Sequence, residues 1–362
     1  MQYTIRHVIR PILAVAAIAM SFTSCIDEDL SECGKDYKAN YSVQLRTNVT
    51  TEIETELTTD VEKQFGVDLS STLENIFTDW ARDLDLSFYT DDNRLAQHDL
   101  HRMDASTASY TIYLPVRRYQ NLALANTAQD QAVDIDGLDN QHTLCLRQLE
   151  GDTLQSHSIG LFSARQQMEI EDRDQEFNVD LYMQNCTACL VLDPGNVALA
   201  EVRGCITGLA SSFNVNDSIY HFDKSAPIRA NELRNQTGKL IGLYATGFPS
   251  HNTADEVTAD PRMSKMLAPQ RATSLDPDDN TGATTGDDNS KPALWQIKVY
   301  VRLANGKTTE SVLSMSDPLK AGQLRIIKAA IRDDGSISSS SQNVGVSVKL
   351  DWKPGGEHEI EM

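Results

Sequence analysis

Apolar and polar residues alternate along much of this chain, and the alternation is clearest near the C-terminus. In 295–303 every odd-numbered residue is large and apolar, and polar or amphipathic residues stand between them. A β-strand with one face in a core and the other in water produces this period of two. Asn305-Gly306 follows and favours a hairpin turn, because both central positions of such a turn need a positive φ. The pattern predicts a strand and a tight turn.

The same alternation recurs in shorter segments through both halves of the chain. Further strands are predicted over 41–49, 84–88, 110–114, 122–124, 177–183, 324–331 and 344–352. Many short strands separated by turns indicate sandwiches or barrels instead of a parallel α/β sheet. The pattern breaks within 184–195, which contains an Asp-Pro-Gly run. We therefore predict an all-β fold with minor α content, built as two tandem β-sandwiches over 40–184 and 185–362.

Two segments depart from the strand pattern. The apolar spacing in 61–80 suits a helix. The candidate buried residues of this helix are Phe65, Val67, Leu73, Ile76 and Phe77. The segment 251–292 is rich in Asp, Thr, Ser, Asn, Gly and Pro and has few apolar residues. This composition predicts a long surface loop or a disordered insert.

The charge balance excludes some classes of function. The chain has 32 Lys and Arg against 52 Asp and Glu, so its formal net charge is −20. A surface this acidic would repel a phosphate backbone, which argues against nucleic-acid binding. No apolar run approaches the roughly 18 residues of a membrane span, so no transmembrane helix is predicted. The length of 362 residues allows two domains.

The N-terminus has the form of a bacterial export signal. A basic start precedes an apolar run over 11–20, and small residues lead from there to Cys25. The residues before Cys25 resemble a lipobox, with Phe22 where leucine is commoner. We predict that 1–24 is a lipoprotein signal peptide, that Cys25 is the lipidation site, and that 25–39 is an acidic lipidated tether. An ordinary cleaved signal, with Cys25 in a disulfide, is the alternative.

Five further cysteines leave the disulfide connectivity open. They are Cys33, Cys145, Cys186, Cys189 and Cys205. An exported protein can form disulfides, but an odd number leaves one cysteine unpaired or all of them free. Cys186 and Cys189 have redox-motif spacing. Because no second CxxC and no histidine pair accompanies them, a redox or zinc site is not favoured.

Catalytic and metal-binding patterns are lacking, so we predict no enzyme activity, no catalytic residue and no cofactor. His98 and His101 follow a predicted strand and favour a turn. The segment 276–287 carries acidic and amide residues at EF-hand spacings, but Thr281 stands where that loop requires glycine. A solvated loop is therefore favoured over a calcium site.

The three tryptophans bear on sugar binding. Trp80, Trp295 and Trp352 all fall at apolar-face positions. This placement predicts that they belong to the core, and it argues against exposed aromatic rings that stack on a glycan.

Several stretches together resemble the FimB-like fimbrial anchor lipoproteins of Bacteroidales. The lipobox is followed by an acidic Asp-Leu-Ser run and a second cysteine, and later stretches have the form of that family's strands and hairpins. These stretches are Cys25–Cys33, Leu84–Asn93, Leu114–Tyr119, Asn121–Asn126, Val344–Trp352 and Ile360–Met362. The chain departs from the family in having Gly34 where proline is usual and Arg118 near the usual glycine.

The resemblance implies two transthyretin-like Greek-key β-sandwich domains and a role in type V pili. It implies a lipid anchor on the surface of the outer membrane that holds the fimbria and limits its length. The implied partners are fimbrial shaft or accessory pilin subunits, joined by strand addition, with no nucleic acid and no small-molecule substrate. The strand over 41–49 is the first candidate for this pairing. The chain ends about ten residues after Trp352, which suits a terminal subunit better than a shaft subunit.

Other functions remain open at this point. A surface glycan-binding lipoprotein would share the export signal and the sandwiches. A lipidated tip or accessory fimbrial subunit would share the whole pattern. A surface hydrolase has no motif to support it.

Overall fold

The computed structural model describes residues 36–46, 50–53, 59–78, 80–103, 109–235, 238–268, 292–339 and 344–351. These residues form a predominantly β fold with three short helices, which confirms the predicted fold class. No helix among them is long and apolar enough to cross a membrane.

The first half of the chain forms a seven-stranded sheet of order β4-β3-β6-β9-β10-β1-β5. Its strands are β1 (Asp36–Arg46), β3 (Asp83–Tyr89), β4 (Leu95–Arg102), β5 (Ser109–Pro115), β6 (Arg117–Ala125), β9 (Phe162–Ile170) and β10 (Gln175–Met183). Strands β9 and β10 pair only at Tyr182↔Ser163 and Met183↔Phe162. The sheet therefore divides into two layers, and one core fills the space between them.

The second half contains two larger sheets. One has the order β16-β17-β11-β20-β2 with β21 also on β20, and the other has the order β15-β12-β18-β19-β22. The strands are β2 (Thr50–Ile53), β11 (Cys186–Asp193), β12 (Leu199–Thr207), β15 (Ile228–Arg229), β16 (Asn231–Arg234), β17 (Ile241–Gly247), β18 (Trp295–Leu303), β19 (Thr308–Met315), β20 (Gln323–Ile331), β21 (Ile337–Ser339) and β22 (Val344–Asp351). Side chains such as Leu190 and Ile297 meet in the core between these sheets.

Two connections join the halves. Strand β2 precedes the first helix in the chain but pairs with β20. A four-stranded sheet has the order β14-β13-β8-β7 and contains two strands from before residue 184 and two from after it. Its strands are β7 (Val133–Asp136), β8 (Cys145–Gln148), β13 (Ser212–Asn214) and β14 (Ile219–His221). The sheets on the two sides of residue 184 are therefore interlocked.

Helix α1 (Asp60–Thr72) lies on the second half of the molecule. Thr59 and Glu62 form a reciprocal capping box at its start. Phe65 is fully buried, and its ring lies against Gly242 of β17. The prediction of a helix to residue 80 was too long, and Val67, predicted as buried, is 61% exposed because the helix turns that face to solvent.

The prediction of an irregular segment over 251–292 is corrected in its first part. Helices α2 (Ala254–Ala259) and α3 (Pro261–Met266) form there, and Asp260 caps α3 through the N–H groups of Arg262 and Met263. One apolar residue of each helix is buried, Val257 in α2 and Met263 in α3. Burial of these side chains and capping by Thr253 and Asp260 therefore stabilise helices within a polar segment. Residues 269–291 lie outside the described part of the chain.

The predicted alternation in the C-terminal half corresponds to observed strands. Strand β18 has the predicted bounds, and Trp295 is fully buried, with its indole N–H donating to the Asp317 carbonyl at 2.9 Å. Trp80 is only half-buried, and the Arg82 guanidinium lies 5.3 Å from its ring centroid. Trp352 lies outside the described residues.

Candidate functional site

The predicted lipidation site lies outside the described part of the chain. Cys25, Cys33 and the EF-hand-like segment 276–287 all lie outside the described residues. Strand β1 begins at Asp36, so the predicted tether over 25–39 overlaps a strand. Asp36 pairs with Pro115 of β5, so residues 36–39 of the predicted tether belong to a strand.

The remaining cysteines are free and buried in the structure. Cys186 and Cys189 stand three residues apart in β11, so their side chains point to opposite faces of the sheet. Cys186 belongs to one core and Cys189 to the other. Burial raises the pKa of Cys189 to about 12 and that of Cys205 to about 11. The CxxC spacing therefore carries no redox or zinc chemistry here.

The histidine pair predicted to mark a turn lies within strand β4 instead. His98 Nε2 is 3.0 Å from Asp85 Oδ2 on the neighbouring strand β3. Burial raises the pKa of Asp85, and the hydrogen bond to His98 partly offsets this rise. No group of three or more His, Cys, Asp or Glu that could hold a metal ion occurs among the residues that the structure describes.

The N-terminal end of β1 marks one pole of the molecule, which we call the tether pole. Strand β1 runs parallel to β10 from Ala39↔Gln175 to Arg46↔Tyr182. Strand β10 ends at Met183 and leads into β11 of the second half. The second half therefore lies beyond the Arg46 end of β1, and the chain enters β1 at the opposite end.

The strand first considered for pairing with a pilin is not at an edge. Strand β1 covers residues 41–46 of the predicted 41–49, and it lies between β10 and β5. Both sides of its backbone are paired over residues 39–42, and residues 43–46 pair with β10 alone among the described strands. The doubly paired part could accept or donate a strand only after displacement from its own sheet.

The strands at the edges of the described sheets differ in length and charge. Among the strands at the ends of the sheet orders, three are longer than four residues, namely β4, β5 and β22. Strands β9 and β10 also border their layers, because they pair with each other at two positions only, and both contain charged residues. Strand β4 contains His98, Asp99, His101 and Arg102, and β22 contains Lys349 and Asp351. Charged residues on an edge are a common device that discourages pairing with another chain. Strand β5 has none.

Strand β5 is therefore the exception among the longer edges. Its sequence is Ser-Tyr-Thr-Ile-Tyr-Leu-Pro, and among the described strands it pairs with β1 alone. Tyr113 is 58% exposed, whereas Ile112 and Leu114 are buried. The alternation over 110–114 predicts this strand but does not indicate its position at an edge. The run of seven uncharged residues in β5, in a chain with 23% charged residues, is the signal that could have indicated the edge position.

A hydrogen bond and a ring contact hold β5 in place at its start. The Tyr110 hydroxyl donates to the Asp99 carboxylate of β4, and its ring centroid lies 4.2 Å from that of His101. Burial and then the Asp99 carboxylate raise the pKa of Tyr110 to about 12, so the hydroxyl keeps its proton. The two layers of the first sandwich are thus joined beside this edge.

A family model described as fimbrillin-A associated anchor proteins Mfa1 and Mfa2 matches residues 31–239 of the chain. No curated protein matches its sequence.

Several solved structures match the chain at low sequence identity. A Bacteroides thetaiotaomicron protein, provisionally described as polysaccharide-binding, has 9% identity and a TM-score of 0.50, and the match covers 85% of this chain and 97% of that one. A Bacteroides ovatus protein, provisionally described as an adhesin, has 12% identity, a TM-score of 0.46 and coverage of 80% and 86%. The fimbrial anchor protein Mfa2 from Porphyromonas gingivalis has 10% identity, a TM-score of 0.39 and coverage of 59% and 73%. The first likeness supports the fold alone, and the other two TM-scores are too low to support an argument.

Proposed function

The chain belongs to the family of fimbrillin-A associated anchor proteins Mfa1 and Mfa2, and on this premise we propose that it is an outer-membrane lipoprotein that anchors fimbriae to the cell and limits their length. Membership of this family indicates a fimbria-associated role at the cell envelope and an interaction with fimbrial subunits. The family is one of structural proteins and not of enzymes.

The tether pole supports attachment of the chain to a membrane through Cys25. The roughly eleven residues from Cys25 to the start of β1 span at most about 40 Å when fully extended. A lipid on Cys25 would therefore hold the first sandwich close to the membrane and leave the second half further away. Each buried methylene of an acyl chain contributes about 0.8 kcal/mol, and stable anchoring needs more than one chain. The proposal includes a signal peptide over 1–24 and a tether over 25–35.

The proposed contact with a fimbrial subunit forms by strand addition. Main-chain hydrogen bonds give such a contact affinity, and pockets for alternate side chains give it specificity. Strands at the edges of the described sheets could pair with a segment of the subunit, and β1 could do so after displacement from its own sheet.

We also propose that residues 40–184 and 185–362 form the two functional units, the first bearing the tether. Strand β2 and the β7–β8 hairpin then belong to the interface, because each joins a sheet of the second unit. Limited proteolysis tests this division. Release of both units as stable fragments supports it, and cleavage without any stable fragment counts against it.

The lipid anchor is tested by labelling cells with radioactive palmitate. The wild-type chain and a Cys33→Ser control should incorporate label, and Cys25→Ser should lose it. Undiminished labelling of Cys25→Ser would show that this cysteine is not the lipidation site.

The anchoring role is tested by deleting the gene. Fimbriae should appear in the medium or become longer, and the wild-type gene should restore short, cell-bound fimbriae. The Cys25→Ser gene should restore neither attachment nor retention of the chain in the membrane. Fimbriae that stay cell-bound and unchanged in length after deletion contradict the proposal.

A further inference from the structure

The edge of β5 combines length, lack of charge and exposure. Seven residues run along this edge without a charged side chain. Just after it, Val116 is 50% exposed. A long, flat and apolar edge readily pairs with another chain, and soluble proteins usually block such an edge with lysine, proline or a bulge. Pro115 ends the strand, but it leaves the preceding residues unprotected.

The strand is held as a rigid template for pairing. Ile112 is 2% exposed and Leu114 is fully buried, so the inward face of β5 is packed in the first core. Tyr110 is joined to β4 through Asp99, as described above. A template that is already ordered loses little conformational entropy when a second strand binds, which favours binding.

We propose that the edge of β5 is the surface on which an extended segment of a fimbrial subunit pairs with this chain, and this inference rests on the proposed function. The segment adds a strand beside Ser109–Pro115 and extends the β10-β1-β5 layer. Because proline has no N–H, pairing is limited to the residues before Pro115. This length corresponds to about six residues, or about 20 Å of strand.

The position of each side chain in the added strand follows from the pleat. Alternate residues of the segment face the core beside Ile112 and Leu114, and these should be apolar. The residues between them lie beside Tyr113 on the outer face, where aromatic or β-branched side chains pair well across strands. The segment is therefore uncharged and rich in such residues.

Charge argues against a second copy of this chain as the occupant. Each copy has a formal net charge of −20. Edge-to-edge pairing places two such molecules within the Debye length of about 8 Å that applies at physiological ionic strength, so the repulsion is only partly screened. We therefore assign the edge to a segment of a different subunit.

Two exposed tyrosines provide a matched test. Tyr113 lies on the edge strand β5, and Tyr182, which is 53% exposed, lies on β10 at a position that is paired on both sides, with β1 and with β9. The assay measures binding of the full mature chain, carrying Cys25→Ser for solubility, to fimbriae detached from the same cells. Tyr113→Lys should weaken binding at least tenfold, because lysine on an edge strand discourages pairing with another chain. Tyr182→Lys should stay within twofold of the parent.

A photo-crosslinking amino acid at each position identifies the occupant. Position 113 should crosslink to an extended segment of a fimbrial subunit, and position 182 should not. Unchanged binding by Tyr113→Lys, equal crosslinking from both positions, or crosslinks between two copies of this chain would each overturn the proposal. If the parent binds fimbriae while Tyr113→Lys is unaffected, only the β5 inference fails. If the parent itself does not bind and deletion leaves fimbriae attached, the proposed function fails.

Discussion

The packing of α1 on β17 couples the two halves of the molecule, and one pair of residues measures this coupling. A methyl group added at Gly242 would lie 2.4 Å from Phe65 Cζ. Phe65 is fully buried and has little room to move. Gly242→Ala should therefore push the helix away from the sheet, and Phe65→Ala should leave a cavity above the glycine.

The expected magnitudes follow from this geometry. Overpacking by Gly242→Ala should cost about 1–3 kcal/mol of unfolding free energy. The cavity left by Phe65→Ala should cost about 3–5 kcal/mol. In the double variant the new methyl group enters the space that the ring has left. Its loss should therefore be close to that of Phe65→Ala alone, with a coupling energy of about 1–3 kcal/mol.

Urea denaturation of the four proteins, followed by circular dichroism, measures the cycle. Val67→Ala on the same helix is the matched control, because this side chain is 61% exposed. It should change stability by less than about 0.5 kcal/mol. Losses for the two single variants that add within about 0.5 kcal/mol in the double variant would refute direct packing of Phe65 on Gly242.

Three further predictions concern buried groups. Burial raises the pKa of Asp83 above the usual value of an aspartate, so the folded state loses stability as pH rises from that usual value through the raised pKa. Asp83→Asn should flatten this dependence in urea titrations between about pH 4 and 7, and an unchanged slope contradicts the assignment. Cys186, Cys189 and Cys205 are buried, so a maleimide should label them only in denaturant, and labelling of the native protein refutes this. Trp295→Ala should lower the unfolding free energy by about 3–5 kcal/mol, and a loss below about 1 kcal/mol would contradict full burial of the indole.

Strands with one buried face were predictable, and strands with two buried faces were not. Strand β18 alternates because one of its faces meets the core more fully than the other. Strand β11 shows no alternation, since Leu190 packs in one core and Val191 in the other. A continuous apolar run has no hydrophobic periodicity that distinguishes a strand from a helix. Local periodicity therefore does not predict this strand.

The resemblance to fimbrial anchors is confirmed by the family match, but the local surface was not predictable from it. The alternation over 110–114 indicated a strand correctly. Which strand lies at an edge depends on pairings such as Tyr41↔Tyr110, between residues far apart in the chain. The spacing of His98 and His101 was misread as a turn for the same reason, because the partner of His98 lies on another strand.

The sequence by itself determined the all-β class, the family and the residues of its one-sided strands, because burial of a single face leaves a period of two that can be read locally. Only the tertiary structure decided that β11 separates two cores, that Val67 faces solvent and that β5 is an uncharged edge. These properties depend on which distant segments pack together, and local periodicity carries no information about such partners.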